Sequence, residues 1–469
     1  MCEGIAAELD GIDLGDKRLN QRSQQIIETL GANPEASINA ACDGWNETLA
    51  AYRFFDHNSI QPENILKPHA EATRHRIHEH PVVLIAQDTT ELDYTDHPPT
   101  DARCLNTKDR FGLYDHTHLA VTPSGLSLGV VGVEYFDREE EGLGKSKERS
   151  KLPIEEKESL RWLTGYRLAC ELSRDCPETQ IVNIADREAD LYDIFMEAEK
   201  QAKEHAQSAD FIIRAKLPRS LPQRDPEAGP HAYKKVRDEV SNSELRATQT
   251  IDLPRTPKRA ARVAKLEVRA IRVTVKPPHE RSFLPTVTYN VVLVEEVDGP
   301  HDGTDVSWLL ITSLPIDTLT EIQRVIDYYV ARWTIEVFFR VFKTGCQVEK
   351  IQLETLPRLK NCLAFYKIIA WRIMHLTYLN RECPTLPCDV VFDDCEWKSV
   401  WRVVTKTELP KTLPTLSEFM CLLTQLGGYN NRKTESPPGP QPVWVGIRRM
   451  TDLATAWMVF GPGAEKTYV

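Results

Sequence analysis

No apolar run in the sequence is long enough to cross a membrane. The nearest, Cys362 to Leu379, is interrupted by Lys367 and Arg372, whereas a spanning helix needs about 20 predominantly apolar residues. The amino terminus, MCEGIAAELDG, has neither the basic start nor the apolar centre of a secretion signal. A disulfide framework is missing too, because the eleven cysteines are an odd number without repeating spacing. There is no C-x-x-C pair, and Cys383, Cys388 and Cys395 lack a fourth ligand at zinc spacing. These absences together lead to the expectation of a soluble, cytoplasmic protein with reduced thiols and no membrane partner. Positive charge is also short, with 58 Lys and Arg against 69 Asp and Glu, a net charge of −11. As a sum, this argues against a generally basic nucleic-acid binder. The distribution of charge therefore matters more than its total.

The chain has 469 residues, enough for two to four domains, with 41% hydrophobic and 27% charged residues, an ordinary globular balance. Residues 1 to about 66 read as helical, in LGDKRLNQRSQQIIETL (Leu14 to Leu30), WNETLAAYRFFDH (Trp45 to His57) and a third helix opening at Pro62. This module has a basic edge at Lys17, Arg18 and Arg22. Yet residues 1–75 hold six Lys and Arg against twelve Asp and Glu, so composition does not mark it as DNA-binding. Arg255 to Arg281 is the opposite case, with nine Lys and Arg against two acids, a local balance of +7. That surplus fits a surface tracking a phosphate backbone and fits equally an exposed ribbon kept soluble by charge.

Two segments repeat one pattern. Val82 to Ala86 is an apolar run of strand length that ends in Gln87-Asp88. Ile181 to Ala185 is another, with Asp186 at its end and a helix expected from Arg187. Buried strands of one sheet that each end in Asp can bring their carboxylates within reach of one ion. Between them come a hairpin, His118 to Phe136, turning at Pro123-Ser124-Gly125, a mixed-charge loop over Asp137 to Lys157, and a helix from Ser159 to Ser173. Phe211 to Arg219 is a further strand, carrying Arg214. Residues 217 to about 305 are strand-rich, and Ser307 to Pro315, with Trp308, returns to the core.

Glu321 to Gly345 then reads as one long helix. It has no Pro, Asp317 and Thr320 stand as caps before it, and Gly345 sits at its stop. At about 100° per residue, Tyr329, Arg332, Glu336, Arg340 and Lys343 share an arc roughly 80° wide, while Ile326, Val330, Val337 and Val341 cluster elsewhere. Such a stripe is most often a solvated face laced by i,i+4 ion pairs. It becomes a site if other carboxylates join Glu336, and Asp88 and Asp186 are the available ones. The element order is that of an α/β ribonuclease H-like core with a β-strand insertion before its last catalytic helix, flanked by N-terminal and C-terminal helical regions. The expected division is 1–66, 67–365 with an insertion at about 217–305, and 366–469. In the last part, Thr415 to Tyr429 is amphipathic and a Pro-rich loop, Ser436 to Pro442, precedes a final helix.

These residues carry a resemblance. Y-x2-R-x3-E-x6-K (Tyr329, Arg332, Glu336, Lys343), IAQDTT around Asp88 and IADREAD around Asp186 resemble the motifs of the bacterial DDE transposases of the insertion-sequence-four family. LGDKRLNQR…AAYRFF is similar to that family's N-terminal DNA-binding module, and TLPCDVVFDDCEWKSVW…LTQLGGY…GPQPVWVGIRRM to its C-terminal region. The resemblance implies cut-and-paste transposition, with Asp88, Asp186 and Glu336 as catalytic, metal-holding carboxylates. Hydrolysis and strand transfer are phosphoryl transfers, suited to two Mg²⁺ roughly 3.5–4 Å apart, with Mn²⁺ as a substitute. Tyr329, Arg332 and Lys343 would hold DNA phosphates, Arg214 would contact the DNA end, and Arg340 is a further DNA-contact candidate. Trp308 would fill the gap left by a base flipped during hairpin formation; without the family, a strand-core role would be favoured. The implied partners are double-stranded DNA, as ends and target, and a second copy of the chain in a homodimer. A plain nuclease of the same fold, or a silent end-binding inhibitor, are the alternatives.

Overall fold

The computed structural model describes residues 4–138, 152–229, 231–253, 255, 260–432 and 437–462. In chain order its elements begin with helices α1 (Lys17–Ala32), α2 (Ile38–Ala41), α3 (Trp45–Phe55) and α4 (Pro62–His78). Strands β1 (Val82–Asp93), β2 (Arg103–Cys104), β3 (Phe111–Val121) and β4 (Ser127–Phe136) follow. Next come α5 (Leu160–Asp175), β5 (Gln180–Ala185), α6 (Tyr192–Glu204) and β6 (Asp210–Arg214). The segment between β6 and the last strand holds β7 (Ser220–Arg224), β8 (Tyr233–Lys235), α7 (Val236–Ser241), β9 (Leu245–Leu253), β10 (Arg262–Val275) and β11 (Val287–Val297). After β12 (Ser307–Thr312) come α8 (Leu319–Ala331), α9 (Trp333–Arg340), α10 (Leu356–Glu382), α11 (Asp394–Thr405), α12 (Leu416–Leu426) and α13 (Pro440–Phe460). Most of the expected mixed-charge loop, residues 139–151, lies outside the described residues.

The chain forms two compact units: one of residues 77–88 and 144–333, the other of residues 1–76, 89–143 and 334–469. In the first, the sheet order runs β1-β5-β6-β12-β11-β10-β9. Strands β1, β5 and β6 are parallel, and β12 to β9 are antiparallel. Parallel strands covered on both faces read as continuous apolar runs. Val83 to Ala86 and Ile181, Val182, Ile184 and Ala185 are accordingly at most 1% exposed. A mixed sheet of this kind, with helices α5, α6 and α8 against it, fits a ribonuclease H-like core.

In the second unit, β3 and β4 form the expected hairpin, with Ala120 opposite Gly129 and the turn at Thr122 to Leu126. Helix α10 packs on β4, α1 and α3 pack on α10, and α11, α12 and α13 pack on one another. Gly129 admits the close approach of α4, because a Cβ there would meet Thr73 Oγ1 at 1.8 Å. A polar knot closes this core. Glu8 accepts from Arg76 Nη1 at 2.9 Å, and His69 Nδ1 lies 2.5 Å from the same carboxylate. His69 Nε2 accepts the Val130 N–H at 3.0 Å, so the ring is the neutral Nδ1–H tautomer. Burial alone would push the Glu8 carboxyl up, but His69 and Arg76 outweigh it and hold the pKa at about 2.

Several sequence expectations shift by local physics. The long helix is interrupted: Arg332 separates α8 from α9, its N–H bonding Tyr329 O in a tighter turn, and Val341–Gly345 is a π-helical turn. The cap is Thr318, in a capping box with Glu321, rather than Asp317 or Thr320. Gly345 serves packing, since a Cβ there would meet the Trp444 ring at 3.0 Å. Strand β1 continues past Asp88 to Asp93. A 3-10 turn, Arg187–Ala189, precedes α6. Part of the Pro-rich loop belongs to α13, which opens at Pro440, a residue type favoured in a first turn.

Candidate active site

Strands β1 and β5 set the first two carboxylates side by side. Ala86 pairs with Ile184 in the parallel register. Asp88 and Asp186 each lie two residues beyond that pair, on strands spaced about 4.8 Å apart. Both are half-buried. Asp186 also caps the following 3-10 turn, accepting from the Glu188 N–H at 2.7 Å.

Gln87, immediately before Asp88, is fully buried and donates to Asn183 Oδ1 at 2.9 Å. Sequence reasoning passed over this amide pair, although its signals were a polar residue directly after the first apolar run, Gln87, and one inside the second, Asn183. The IADREAD motif also has a second Asp. Asp190 is 3% exposed, accepts the Lys216 and Leu217 N–H groups at 2.8 Å each, and takes Arg219 Nε at 2.7 Å. It bolts the loop after β6 to the turn after Asp186.

Arg332 Nη1 donates to Asp88 Oδ2 at 3.0 Å, with both side chains mostly buried. The Arg332 guanidinium carbon lies 5.9 Å from the Tyr329 ring centre, and Trp308 meets that ring edge-on at 5.6 Å. Asp88, Arg332, Tyr329 and Trp308 therefore form one contact chain. Tyr329 is 6% and Arg332 9% exposed, so this end of the stripe is not a solvated face. Trp308 is half-buried on β12, and Arg214, two register positions along on β6, donates to Ser307 O at 2.9 Å.

In the other unit, Glu336 is half-buried on α9 and Arg340 is exposed at its end. Lys343 sits in the π-helical turn and is anchored by Glu91 O at 2.8 Å and Glu349 Oε1 at 2.9 Å. Glu349 in turn accepts the Asp93 N–H at 3.0 Å. No sequence signal marked Glu349, because its importance comes from a contact with β1 and not from its neighbours.

Carboxylates suit a hard divalent cation, and Asp88 and Asp186 stand at equivalent positions beyond the last paired residues of two adjacent strands. Arg332 supplies the counter-charge to Asp88 in this structure. The three cysteines at 383, 388 and 395 are free thiols, exposed, buried and intermediate in turn.

Three family matches cover most of the chain. Residues 1–60 match the family described as Transposase DNA-binding, residues 179–371 the Transposase DDE domain, and residues 368–460 the Transposase Tn5 dimerisation domain. The chain belongs to the Tn5-like DDE transposases. This transposase is thus a DNA-cleaving and strand-transferring enzyme in general terms, with DNA as its partner, a divalent metal ion as cofactor and a homodimeric assembly. A solved structure, the piggyBac transposase synaptic complex with hairpin DNA, matches at 10% identity and a TM-score of 0.36, over 93% of this chain and 76% of that one. That likeness is too slight to bear on the site. Among the described residues, no helix is long and apolar enough to cross a membrane.

Proposed function

We propose that the transposase moves an insertion sequence by cut-and-paste transposition, with Asp88, Asp186 and Glu336 as its catalytic carboxylates. The observation that carries the reading is the matched register of Asp88 and Asp186 beyond Ala86 and Ile184. In the first step water attacks the phosphorus at the element's end and the 3′-oxygen leaves with a proton. In strand transfer that 3′-hydroxyl attacks a target phosphodiester, so one P–O bond forms as another breaks. The three carboxylates would hold Mg²⁺, with Mn²⁺ as a substitute; when bound, the ions would activate the attacking oxygen and stabilise the leaving one.

Around them, Arg332 is a candidate phosphate ligand, because a guanidinium that donates to a carboxylate can donate to a phosphate instead. Tyr329, Lys343, Arg214 and Arg340 are assigned to DNA in the same reading. Trp308 is assigned to the space vacated by a flipped base, with a hairpin as the intermediate at the element's end. Residues 1–66 would bind the ends, 67–365 catalyse, with an insertion at about 217–305, and 366–469 join two copies. The matches at 1–60, 179–371 and 368–460 support this division.

The test is excision. A plasmid carrying the gene's own flanking DNA is incubated with purified protein and Mg²⁺ or Mn²⁺, alongside Glu336→Gln. Release of a fragment by the wild type only, with DNA binding kept by the variant, is the expected result. Scattered cutting of any DNA would favour a plain nuclease. Binding without release would favour an end-binding inhibitor.

A further inference from the structure

The cations between β6 and β12 divide into two groups. Six are neutralised within the fold: Arg219 by Asp190, Lys234 by Glu239, Arg237 by Glu295, Arg262 by Glu296, Arg269 by Glu267 and Arg281 by Asp193. The +7 surplus of the 255–281 stretch is therefore partly consumed by acids on other elements. Arg224, Lys235 and Lys276 belong to the cations outside these pairs. Among the described residues, none of them has a carboxylate within 4.0 Å.

These three converge on one place. Strands β7 and β8 form a two-stranded ribbon in which Arg224 pairs with Tyr233 and Ser220 with Lys235. The Arg224 guanidinium carbon lies 4.1 Å from the Tyr233 ring centre, and Lys276 Nζ lies 3.5 Å from it. Lys235 Nζ donates to Ser220 Oγ at 2.9 Å, and the Lys276 backbone N–H donates to Ser220 O at 2.9 Å. Arg224 is further fixed by His231 O at 2.9 Å. Arg224 is exposed, while Tyr233, Lys235 and Lys276 are half-exposed. Like charges gathered on one aromatic ring repel each other, and the ring's quadrupole offsets only part of that. An anion would relieve the rest. A Lys–Arg set around an aromatic, on a ribbon that fixes its spacing, has the chemistry of a phosphodiester contact.

We infer that Arg224, Lys235 and Lys276, arranged around Tyr233, form a separate contact for the backbone of duplex DNA, outside the carboxylate site. The contact carries no sequence information, since phosphates position a duplex without specifying it. It would add affinity for DNA of any sequence. The inference rests on DNA being the partner and not on the assignment of the three carboxylates.

The experiment measures binding of the full-length protein to a duplex of scrambled sequence by fluorescence anisotropy, over a range of NaCl concentrations. Metal is omitted so that nothing is cut. Each lost phosphate contact should reduce the slope of log K against log salt by about 0.9. Arg224→Gln/Lys235→Gln/Lys276→Gln is expected to flatten the slope by up to about 2.7, and Lys276→Gln alone by about 0.9. The single variant keeps the test open should the triple variant fold poorly. Arg237→Gln, which removes a paired cation, should leave the slope within error of wild type. Unchanged slopes in both the Lys276 and triple variants would overturn the contact. A wild type that binds no duplex would overturn it together with the DNA reading, which separates the two failures.

Discussion

Replacing Lys367 by Met should destabilise the unit that carries Glu336. Lys367 and Asp115 are both fully buried, with Nζ 2.6 Å from Oδ2. Thr117 Oγ1 accepts from Lys367 at 2.8 Å and donates to Asp115 Oδ1 at 2.8 Å, which closes a three-membered network. Burial pushes the Lys367 amine down from its ordinary pKa, and Asp115 opposes that push. The ammonium also lies 4.4 Å from the Phe342 ring and 5.5 and 6.0 Å from those of Phe338 and Phe339, which belong to the helical stretch bearing Glu336 and Lys343. Removing one member of a buried pair leaves the other charge uncompensated, at a cost of about 3–5 kcal/mol. Removing both, as Asp115→Leu/Lys367→Met, should recover most of that loss, since apolar replacement of a buried pair is often near neutral. The assay is native-state hydrogen exchange over residues 356–382, with urea, which reports local opening free energies without assuming two-state unfolding. Cleavage by Lys367→Met should fall as its Glu336 segment loosens. A single variant within about 1 kcal/mol of wild type, or a double variant as unstable as the sum of both singles, would refute the reasoning.

Other outcomes follow from the same geometry. Trp308→Ala should slow hairpin formation more than first-strand nicking on an end substrate; equal loss of both would return Trp308 to a packing role beside Tyr329. Lys343→Ala should flatten the salt dependence of end binding by about 0.9, and Glu349→Ala should do the same if Glu349 aims the Lys343 ammonium, with Glu349→Gln restoring much of it. Acid should unfold the unit containing His118 and His375, whose pKa values burial lowers to about 4. The unfolded chain takes up these protons near pH 6.5 and the native state only near pH 4, so stability is lost as pH falls across that window, by about 3 kcal/mol per histidine. Glu8, held at about 2, adds a further loss as pH falls below about 4.5. Thermal melts from pH 7 to 3.5 would show this, and an unchanged melting temperature down to pH 4 would contradict it.

The placement of Asp88 and Asp186 after the buried runs of two neighbouring strands was legible because a parallel strand covered on both faces is written as a largely apolar run. The first carboxylate after such a run marks where the fully buried part of the strand ends: β5 stops there, whereas β1 runs on to Asp93. The two-stranded β3–β4 hairpin was legible from its turn residues for a similar, local reason. Pairings across long sequence separations were not. Lys367 read only as a charge that breaks an apolar run, yet it is fully buried because Asp115, 252 positions away, lies against it. Arg332 read as part of a displayed stripe, but Asp88 and Tyr329 draw it inward. The basic stretch at 255–281 read as surplus charge because its acids, Glu296 and Asp193, lie on β11 and α6, outside the counted window. Charge counted along a chain does not reveal which counter-ions the fold will bring to it.

The wide turn at Val341–Gly345 has a consequence for comparing relatives. The Cys346 N–H reaches back five residues to Val341 O, at 2.9 Å, whereas an α-helix reaches back four. Such a turn behaves as a helix that has absorbed one inserted residue. Any alignment with a relative whose helix is regular here must open a gap within this stretch. Lys343 lies inside it, so where the gap is placed decides which residue of the relative is its counterpart.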